Sequence, residues 1–292
     1  MFEGFQTRDM PGRDGTTIRT RIKGDGPPLL LLHGYPQTHT IWHLMAPELA
    51  KDFSVVAADL RGYGDSSKPP GLDGHANYAK RAMAADMISV MHSLGHDRFA
   101  VVGHDRGGRV AHRMALDHPD VITGLVVLDI VPTYTLFEQT DKAFALGYYH
   151  WFFLAQPAPL PEQLIGKDPV FFMDTKMGHW SAKEAVFADA AMAEYRRCFS
   201  DPRTIHASCE DYRAAATIDL DHDREDLNRK VACPTLVLWG EFGLMHKTFD
   251  VLQTWRERCH QVTGRAMPCG HFLPEEAPNQ TLFEIRKFLG TQ

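Results

Sequence analysis

The segment Gly103-His104-Asp105-Arg106-Gly107 places one acidic side chain between two glycines, directly after an apolar run. It has the frame of the G-x-S-x-G turn, in which a strand passes sharply into a helix and exposes a nucleophile, with Asp105 where serine usually stands. The glycines allow the backbone to pass close to its neighbours. A carboxylate that attacks saturated carbon forms an ester that water can cleave, whereas a serine would form an inert ether. An aspartate at the nucleophile position therefore predicts a displacement reaction at tetrahedral carbon. The alternative is that Asp105 is an ordinary helix N-cap.

A histidine near the end of the sequence is the candidate base for cleaving that ester. His271 follows a glycine, at the place in the chain order where enzymes with this turn carry their histidine. Asp129, directly after the apolar run Leu125–Leu128, would orient His271 and stabilise its protonated form. The acid more often follows the penultimate strand, where this chain has Gly243. We therefore expect Asp129 to supply the carboxylate, although a turn role would also suit an Asp at this place.

Backbone amides beside the same turn could stabilise the oxyanion of ester cleavage. His33-Gly34-Tyr35-Pro36 ends the first long apolar run, and Arg106 follows the nucleophile. We assign the backbone N–H groups of Tyr35 and Arg106 to this oxyanion hole. A tight turn built with Gly and Pro would equally explain the first of these segments.

Two arginines occupy the first turn of the helix that Asp105 opens, where the helix dipole disfavours positive charge. Arg106 and Arg109 share one helix face, and together they could hold a substrate carboxylate by bidentate hydrogen bonds. Such an anion about 4 Å from Asp105 would be repelled by about 4 kcal/mol at an effective dielectric of about 20. The two guanidiniums would offset that repulsion, so we predict a small carboxylate as substrate. Pairing with a nearby acid better suits Arg113, which has Asp117 four residues on.

Five apolar runs predict strands buried on both faces of a parallel sheet. They are Pro28–Leu32, Ser54–Ala58, Phe99–Val102, Leu125–Leu128 and Thr235–Leu238. Helix-length segments such as 79–94 and 108–117 lie between them, which indicates an α/β fold with right-handed crossovers. Ligand sites of such sheets lie beyond the carboxyl ends of the strands, where the candidate residues fall. We place the core at residues 1–134 and 218–292, and an aromatic helical cap at 135–217.

Length and composition exclude several classes of protein. The chain has 292 residues, is 44% apolar and 23% charged, and carries a formal net charge of −6, which argues against a disordered or fibrous protein. The acidic balance argues against nucleic acid or an anionic membrane as partner. No apolar run approaches the ~20 residues of a membrane helix, and no signal peptide is recognisable. Five cysteines without a C-x-x-C pair indicate thiols in a reducing cytoplasm, and no paired spacing predicts a metal site.

With these residues identified, the sequence resembles the fluoroacetate dehalogenases of the α/β-hydrolase superfamily. The motifs that carry the resemblance run nearly end to end. They are His33-Gly34-Tyr35-Pro36-Gln37, Asp59-Leu60-Arg61-Gly62-Tyr63-Gly64, Gly103-His104-Asp105-Arg106-Gly107-Gly108-Arg109, Leu128-Asp129-Ile130, His150-Trp151, Asp211-Tyr212-Arg213 and Gly270-His271-Phe272. The Asp-Arg-Gly-Gly-Arg segment is the specific part, because related haloalkane dehalogenases and epoxide hydrolases typically carry tryptophan where Arg106 stands.

The resemblance implies an α/β-hydrolase fold, with a mostly parallel sheet flanked by helices and an inserted helical cap. It implies that Asp105 displaces fluoride from fluoroacetate while Arg106 and Arg109 hold the carboxylate. It implies that His271, oriented by Asp129, activates the water that releases glycolate. The donors to the departing fluoride would be the cap residues His150, Trp151 and Tyr212. The family needs no metal or organic cofactor and is usually a cytoplasmic homodimer.

Three further expectations concern the cap and the rival functions. The His-Trp pair that matches the family is the one at 150 and 151, so His179-Trp180 is expected to be structural. An epoxide hydrolase would use the same nucleophile and would need phenols such as Tyr149 and Tyr212 to protonate the epoxide oxygen; the arginine pair argues against it. A catalytically silent ligand-binding protein of the same fold is the other alternative, and the intact set of nucleophile, acid and base argues against that.

Overall fold

A mixed eight-stranded sheet forms the centre of the computed structural model, which describes residues 1–182 and 186–290. Its strands are β1 Gln6–Pro11, β2 Thr17–Lys23, β3 Pro28–Leu32, β4 Ser54–Ala58, β5 Phe99–His104, β6 Ile122–Leu128, β7 Thr235–Gly240 and β8 Val262–Met267. Their spatial order is β1-β2-β4-β3-β5-β6-β7-β8. The six strands from β3 to β8 pair in parallel, and β1 and β2 form an antiparallel hairpin at one edge. The predicted α/β fold and its mostly parallel sheet are confirmed.

Helices cover both faces of this sheet. In the described residues the α-helices are α1 Ala46–Leu49, α2 Lys80–Ser93, α3 Arg106–Asp117, α4 Thr133–Glu138, α5 Lys142–Gly147, α6 His150–Leu154, α7 Leu160–Ile165, α8 Pro169–Trp180, α9 Asp189–Phe199, α10 Pro202–Ala216, α11 Ile218–Glu225, α12 Leu244–Thr248, α13 Val251–Arg256, α14 Leu273–Glu276 and α15 Pro278–Leu289. Two short 3-10 helices lie at His39–Trp42 and Asp73–Tyr78. The two helices predicted between strands correspond to α2 and α3, and α3 begins two residues earlier than predicted because it starts directly after Asp105.

The hydrophobic core lies on both faces of the sheet, because successive apolar side chains of the central strands point to opposite faces. In β3, Leu29 and Leu31 belong to one apolar cluster with α1 and α15, whereas Leu30 and Leu32 belong to the other. The second cluster takes in α2 and α3 and continues into the helices between β6 and β7. Aromatic side chains of those helices, such as Phe144, Trp151 and Tyr212, therefore pack as an extension of the core.

The helices α4 to α11 occupy the interval between the end of β6 and the start of β7. The expected cap, residues 135–217, lies inside this strand-free interval, and α11 begins just beyond its expected end. The domain boundaries themselves stay a prediction. In the described ranges, no helix combines the length and the apolar character that crossing a membrane requires.

Candidate active site

The turn between β5 and α3 holds Asp105 in a strained backbone conformation, with φ +47° and ψ −115°. Non-glycine residues rarely adopt positive φ, and such strain is concentrated at functional sites. Three glycines make the turn possible. A Cβ on Gly34 would lie 2.4 Å from the Asp105 Cβ, and a Cβ on Gly103 or Gly107 would lie 2.4 Å from a backbone oxygen. The sequence of the turn therefore matches the close packing around the carboxylate.

The Asp105 carboxylate is buried, with 6% of the residue exposed. Its Oδ1 accepts a hydrogen bond from the Tyr35 N–H at 2.9 Å. Burial alone would raise the pKa of Asp105, but positive charge at His271, Arg106 and Arg109 outweighs it and the pKa lies below its ordinary value. The carboxylate is therefore ionised at neutral pH, with one oxygen held and Oδ2 as the oxygen that can attack.

His271 and Asp129 form the hydrogen-bonded pair that the sequence predicts, with 2.6 Å between His271 Nδ1 and Asp129 Oδ2. The other Asp129 oxygen accepts from the Gly240 N–H at 2.9 Å, so both ends of the carboxylate are fixed. Burial would lower the pKa of His271, but the hydrogen bond and charge of Asp129 raise it above its ordinary value, with a further contribution from Asp105. This arrangement leaves Nε2 as the ring nitrogen that can take a proton.

Gly243, the position at which the acid more often stands, lies beside Asp129 in the fold. A Cβ on Gly243 would lie 3.5 Å and 3.6 Å from the two carboxylate oxygens of Asp129. A carboxylate from either position can therefore reach the same side of His271, which explains geometrically how one acid can stand in for the other.

Arg106 pairs with a distant acid of the protein, whereas the sequence indicated an acid partner only for Arg113. Its Nε donates to Asp211 Oδ2 at 2.9 Å, and its Nη2 donates to Asp211 Oδ1 at 2.7 Å. The reason is that α10 brings Asp211 against α3 from more than 100 residues away. Its Nη1 is buried and has no hydrogen-bond partner among the described residues. Arg113 pairs with Asp117 at 3.2 Å, as predicted.

Arg109 carries a buried charge with no salt-bridge partner in the described residues. Its Nη1 donates to the Val131 carbonyl at 2.9 Å and to Thr133 Oγ1 at 3.0 Å. Within residues 1–182 and 186–290, its Nε has no partner and no carboxylate oxygen forms a salt bridge with it. Burial and the neighbouring Arg106 lower the pKa of Arg109 to about 10, so it stays protonated at neutral pH. A buried charge of this kind calls for an anionic partner.

The three predicted halide donors come together with their polar atoms unoccupied. His150 Nδ1, Trp151 Nε1 and Tyr212 OH are all buried and have no hydrogen-bond partner in the described part of the chain. The Tyr212 ring lies 5.4 Å from the His150 ring and 5.2 Å from the Trp151 ring. Burial lowers the pKa of His150 well below its ordinary value, so the imidazole is neutral. Buried donors are normally paired, which makes this cluster a candidate anion site.

The arginines and the donor cluster are in direct contact. The Arg106 guanidinium stacks over the Tyr212 ring at 4.2 Å, and the Arg109 guanidinium stacks over the Trp151 ring at 4.5 Å. Both arginines open the helix that begins at Asp105. One short ligand could therefore meet the carboxylate, the guanidiniums and the donor cluster at the same time.

Aromatic residues near the site occupy positions that the sequence alone did not indicate. Trp180, expected to be structural, lies 4.5 Å from the His150 ring and 5.6 Å from the His271 ring. Tyr149, one of the two phenols considered for epoxide chemistry, is 44% exposed and covers Lys176 instead. Its neighbour Tyr148 is buried, and its hydroxyl lies 3.3 Å from His271 Nδ1. A His-Trp or Tyr-Tyr dipeptide carries no signal for which ring faces inward.

Metal ligation has no basis in the described residues, where no three His, Cys, Asp or Glu side chains come close enough to hold an ion. The chemistry of the site is that of a nucleophilic carboxylate, an imidazole paired with a second carboxyl group, and several N–H and O–H donors.

Comparisons with known proteins identify the family of the chain. The model of the alpha/beta hydrolase fold family matches residues 27–278. A fluoroacetate dehalogenase from Burkholderia sp. is 50% identical, over 99% of this chain and 95% of the relative. The chain belongs to the fluoroacetate dehalogenase family of α/β hydrolases. It is an enzyme, a hydrolase.

Other members of the superfamily are also similar along most of their length. A soluble epoxide hydrolase from Corynebacterium sp. is 36% identical over 91% of each chain. A Nostoc structure described as an alpha/beta hydrolase superposes with a TM-score of 0.98 at 55% identity, covering 99% of both chains. The fold is therefore shared by enzymes with different substrates, and the substrate has to be argued from the site.

Proposed function

We propose that this hydrolase dehalogenates short 2-haloacids, with fluoroacetate and water giving glycolate and fluoride. One observation carries the proposal: two groups of buried donors that have no hydrogen-bond partner in the described residues lie near the ionised carboxylate of Asp105. Arg106 Nη1 and Arg109 Nε form the cationic group, and the cap donors form the neutral group. A 2-haloacid has an anionic end and a halogen two bonds apart, which matches a cationic group beside a neutral one.

The first half of the reaction is displacement at carbon. Asp105 Oδ2 attacks the α-carbon, the carbon–halogen bond breaks, and its electron pair leaves with the halide. The developing halide accepts hydrogen bonds from His150, Trp151 and Tyr212, which are already fixed in place and need no reorganisation. The substrate carboxylate neutralises the charge of Arg109, and its repulsion by Asp105 is offset by both guanidiniums. The product of this step is an ester of Asp105.

The second half is cleavage of that ester by water. His271 takes a proton from water, and the resulting hydroxide attacks the carbonyl carbon of Asp105. The oxyanion forms on Oδ1, which already accepts from the Tyr35 N–H, and the Arg106 N–H at the start of α3 is the second proposed donor. The bond from the carbonyl carbon to Oδ2 then breaks, the leaving alkoxide oxygen takes the proton held by His271, and glycolate leaves. The new carboxyl group of Asp105 releases its proton to solvent and returns to the carboxylate. Esterification also removes the negative charge of Asp105 that helps to raise the pKa of His271, which favours the neutral, basic imidazole.

Isotope labelling tests this route directly. In a single turnover in ¹⁸O-water, the first glycolate should carry unlabelled oxygen, because that oxygen comes from Asp105. Labelled glycolate would refute the ester mechanism. Asp105→Asn should abolish turnover, and His271→Asn should accumulate the alkylated enzyme, visible by intact mass. Halide release should be measured on fluoroacetate, chloroacetate and 2-fluoropropionate, with an EDTA control, because no step requires a metal or an organic cofactor.

Epoxide hydrolysis is the second candidate, and one observation favours it: the buried Tyr212 hydroxyl has a proton to give and no partner in the described residues. The unbalanced charge of Arg109 argues against a neutral epoxide, and Tyr149 is turned away from the site. Rates on styrene oxide and on haloacetates, measured side by side, discriminate the two. Tight binding of haloacetate with no halide release would instead favour a silent binding protein.

We propose a homodimer as the working form, on the family resemblance. Large apolar side chains are exposed on α5, α7 and α8, including Leu146, Leu164 and Phe171, and exposed apolar patches commonly mark interfaces. Light scattering should give twice the mass of one chain, and Phe171→Asp should reduce it; a monomeric wild type would refute the proposal. A reducing cytoplasm suits the buried thiols Cys198, Cys209, Cys233 and Cys259, and neither nucleic acid nor membrane is expected as partner.

A further inference from the structure

An ion cluster beneath the arginines has no part in the chemistry derived above. Asp211 accepts two hydrogen bonds from Arg106, one from the Tyr63 hydroxyl at 2.7 Å and one from Lys80 Nζ. Lys80 is in turn 3.2 Å from Asp219. All of these side chains are buried. Buried ion clusters are weak evidence for stability, so the cluster calls for another explanation.

The geometry of the Arg106–Asp211 pair fixes the direction of one N–H group. Nε and Nη2 face the carboxylate of Asp211, and Nη2 also donates to the Asp211 carbonyl at 2.9 Å. The guanidinium is planar, so two bonds to one carboxylate also fix the third nitrogen. That nitrogen, Nη1, is the one with no partner among the residues described. Asp211 therefore determines where the free end of Arg106 points.

The same pair keeps Arg106 away from the nucleophile. Arg106 directly follows Asp105, yet its fork is engaged by Asp211, and in the described structure no salt bridge joins it to Asp105. The charge of Arg106 already acts on Asp105, so a guanidinium released from Asp211 would be attracted to the nucleophile. A nucleophile held in a bidentate ion pair would be less available to attack carbon.

The cluster also joins the two parts of the fold that meet at the site. Asp211 lies on α10, next to the halide donor Tyr212, whereas Arg106 lies on α3 of the core. Lys80 begins α2, and its backbone N–H donates to Asp219 of α11 at 2.8 Å. Adjacent residues of one helix therefore position the carboxylate-binding arginine and supply a donor to the halogen.

We propose that Asp211 is a positioning residue that aims Arg106 Nη1 at the substrate carboxylate and keeps its guanidinium off Asp105. Tyr63 and Lys80 hold Asp211 in place, and the charges of Lys80 and Arg106 are balanced by Asp211 and Asp219. Arg109, which has no salt-bridge partner in the described residues, then supplies a second positive charge for the substrate. The proposal rests on the proposed function in that Arg106 binds the acid end of the substrate.

Asp211→Asn tests the proposal, because it keeps the shape of the side chain and removes its charge. The matched control is Asp117→Asn, which removes an acid paired with Arg113 on the same helix α3. Two ligands are measured on each protein by calorimetry: glycolate, which has a carboxylate, and chloride, which engages only the halide donors. The KM for haloacetate is measured beside them.

The dissociation constant of glycolate and the KM should rise about 10- to 100-fold in Asp211→Asn, the equivalent of one charge-assisted hydrogen bond. Chloride binding should change less than about threefold, and Asp117→Asn should change none of the three. Equal weakening of glycolate and chloride, or no weakening, would overturn the proposal.

Two further measurements keep the test decisive if Asp211→Asn folds poorly. Tyr63→Phe removes one hydrogen bond to Asp211 and should shift glycolate binding in the same direction by a smaller factor. In an Arg106→Met background, where the pair is already broken, Asp211→Asn should have no additional effect on glycolate binding; an undiminished effect there would refute positioning through Arg106. A wild type that binds glycolate but releases no halide would refute the proposed function and leave this test intact.

Discussion

Tyr212→Phe should separate the stability of the protein from its activity, because the hydroxyl that it removes has no partner in the described residues. The ring stays, and with it the stacking of Arg106 at 4.2 Å. No hydrogen bond within the described protein is lost, so the free energy of unfolding should be unchanged or slightly higher. Tyr78→Phe is the matched control: the same atom is removed from an equally buried ring, but here it donates to the Pro69 carbonyl at 2.6 Å. That control should lose about 1 kcal/mol.

The two variants should differ in the opposite way in catalysis: Tyr212→Phe should lower kcat more than Tyr78→Phe does. Removing one preorganised donor to developing negative charge typically lowers kcat by about 100-fold, or about 2.7 kcal/mol. The loss should be largest on fluoroacetate, because fluoride concentrates its charge on a small atom and depends most on hydrogen bonds as it leaves. On chloroacetate, whose halide spreads its charge over a larger atom, we expect a loss of about tenfold. Tyr78→Phe should leave both rates unchanged.

The assays are thermal and denaturant unfolding for stability, and halide release under saturating substrate for kcat. The informative quantity is the ratio of the fluoroacetate rate to the chloroacetate rate, because general damage to the site would lower both rates by the same factor. The reasoning would be refuted if Tyr212→Phe lost as much stability as Tyr78→Phe, or if the ratio of the two rates did not change.

Three other predictions follow from the same contacts. Arg109→Met should raise the KM for haloacetate at least about 30-fold, or about 2 kcal/mol, and should lose about 1 kcal/mol of stability with its two hydrogen bonds. Arg113→Met, which breaks existing ion pairs, should destabilise by about 3 kcal/mol and leave the KM unchanged. Asp129→Asn should lower the rate of ester hydrolysis by about a thousandfold or more, and adding Gly243→Asp should restore part of that rate. Rapid-quench measurement of the decay of the alkylated enzyme gives both rates. No recovery would contradict the inference that a carboxylate at either position can reach His271. Because the folded pKa of His271 is raised, an NMR titration of the free enzyme should give a pKa above the ordinary value of about 6.5, and a value at or below about 6.5 would contradict this. The stability contributed by the His271–Asp129 pair should be complete below about 6.5 and lost as pH rises through the folded pKa. Ester hydrolysis should fall on acidification through a lower pKa than that of the free enzyme, because esterification removes the charge of Asp105.

The strands that could be predicted are those buried on both faces. β3 and β4 have the predicted bounds, because an uninterrupted apolar run has no polar residue to blur its ends. The hairpin of β1 and β2 went unpredicted because β1 buries only Met10 and β2 alternates with charged residues. β8, at the other edge, likewise alternates and contains Gly264. Edge strands carry a weaker apolar signal, since one side of each is open.

The residues of the site divide in the same way. Asp105, Asp129 and His271 follow strands in a fixed chain order, so motif and topology together locate them. No comparable rule of motif or chain order predicts which aromatic rings of the cap face inward. Trp180 lies against His150 because of how α8 packs on α6, and that packing is set by many side chains at once. The candidate donor residues of the cap could be identified from the sequence, but which rings face the nucleophile could not.

The unequal charge balance of the two arginines depends on a long-range contact that no local pattern contains. Read from the helix alone, Arg106 and Arg109 are alike: both open α3, and both place positive charge where the helix dipole opposes it. In the fold, Asp211 neutralises Arg106, and in the described residues no acid forms a salt bridge with Arg109. A neutral ligand would leave that buried charge unbalanced, whereas a carboxylate brings the missing negative charge with it. The proposed selectivity for acids over neutral haloalkanes therefore rests on Arg109, which has no salt-bridge partner in the described residues. The direction of the Arg106 guanidinium follows from its pairing with Asp211.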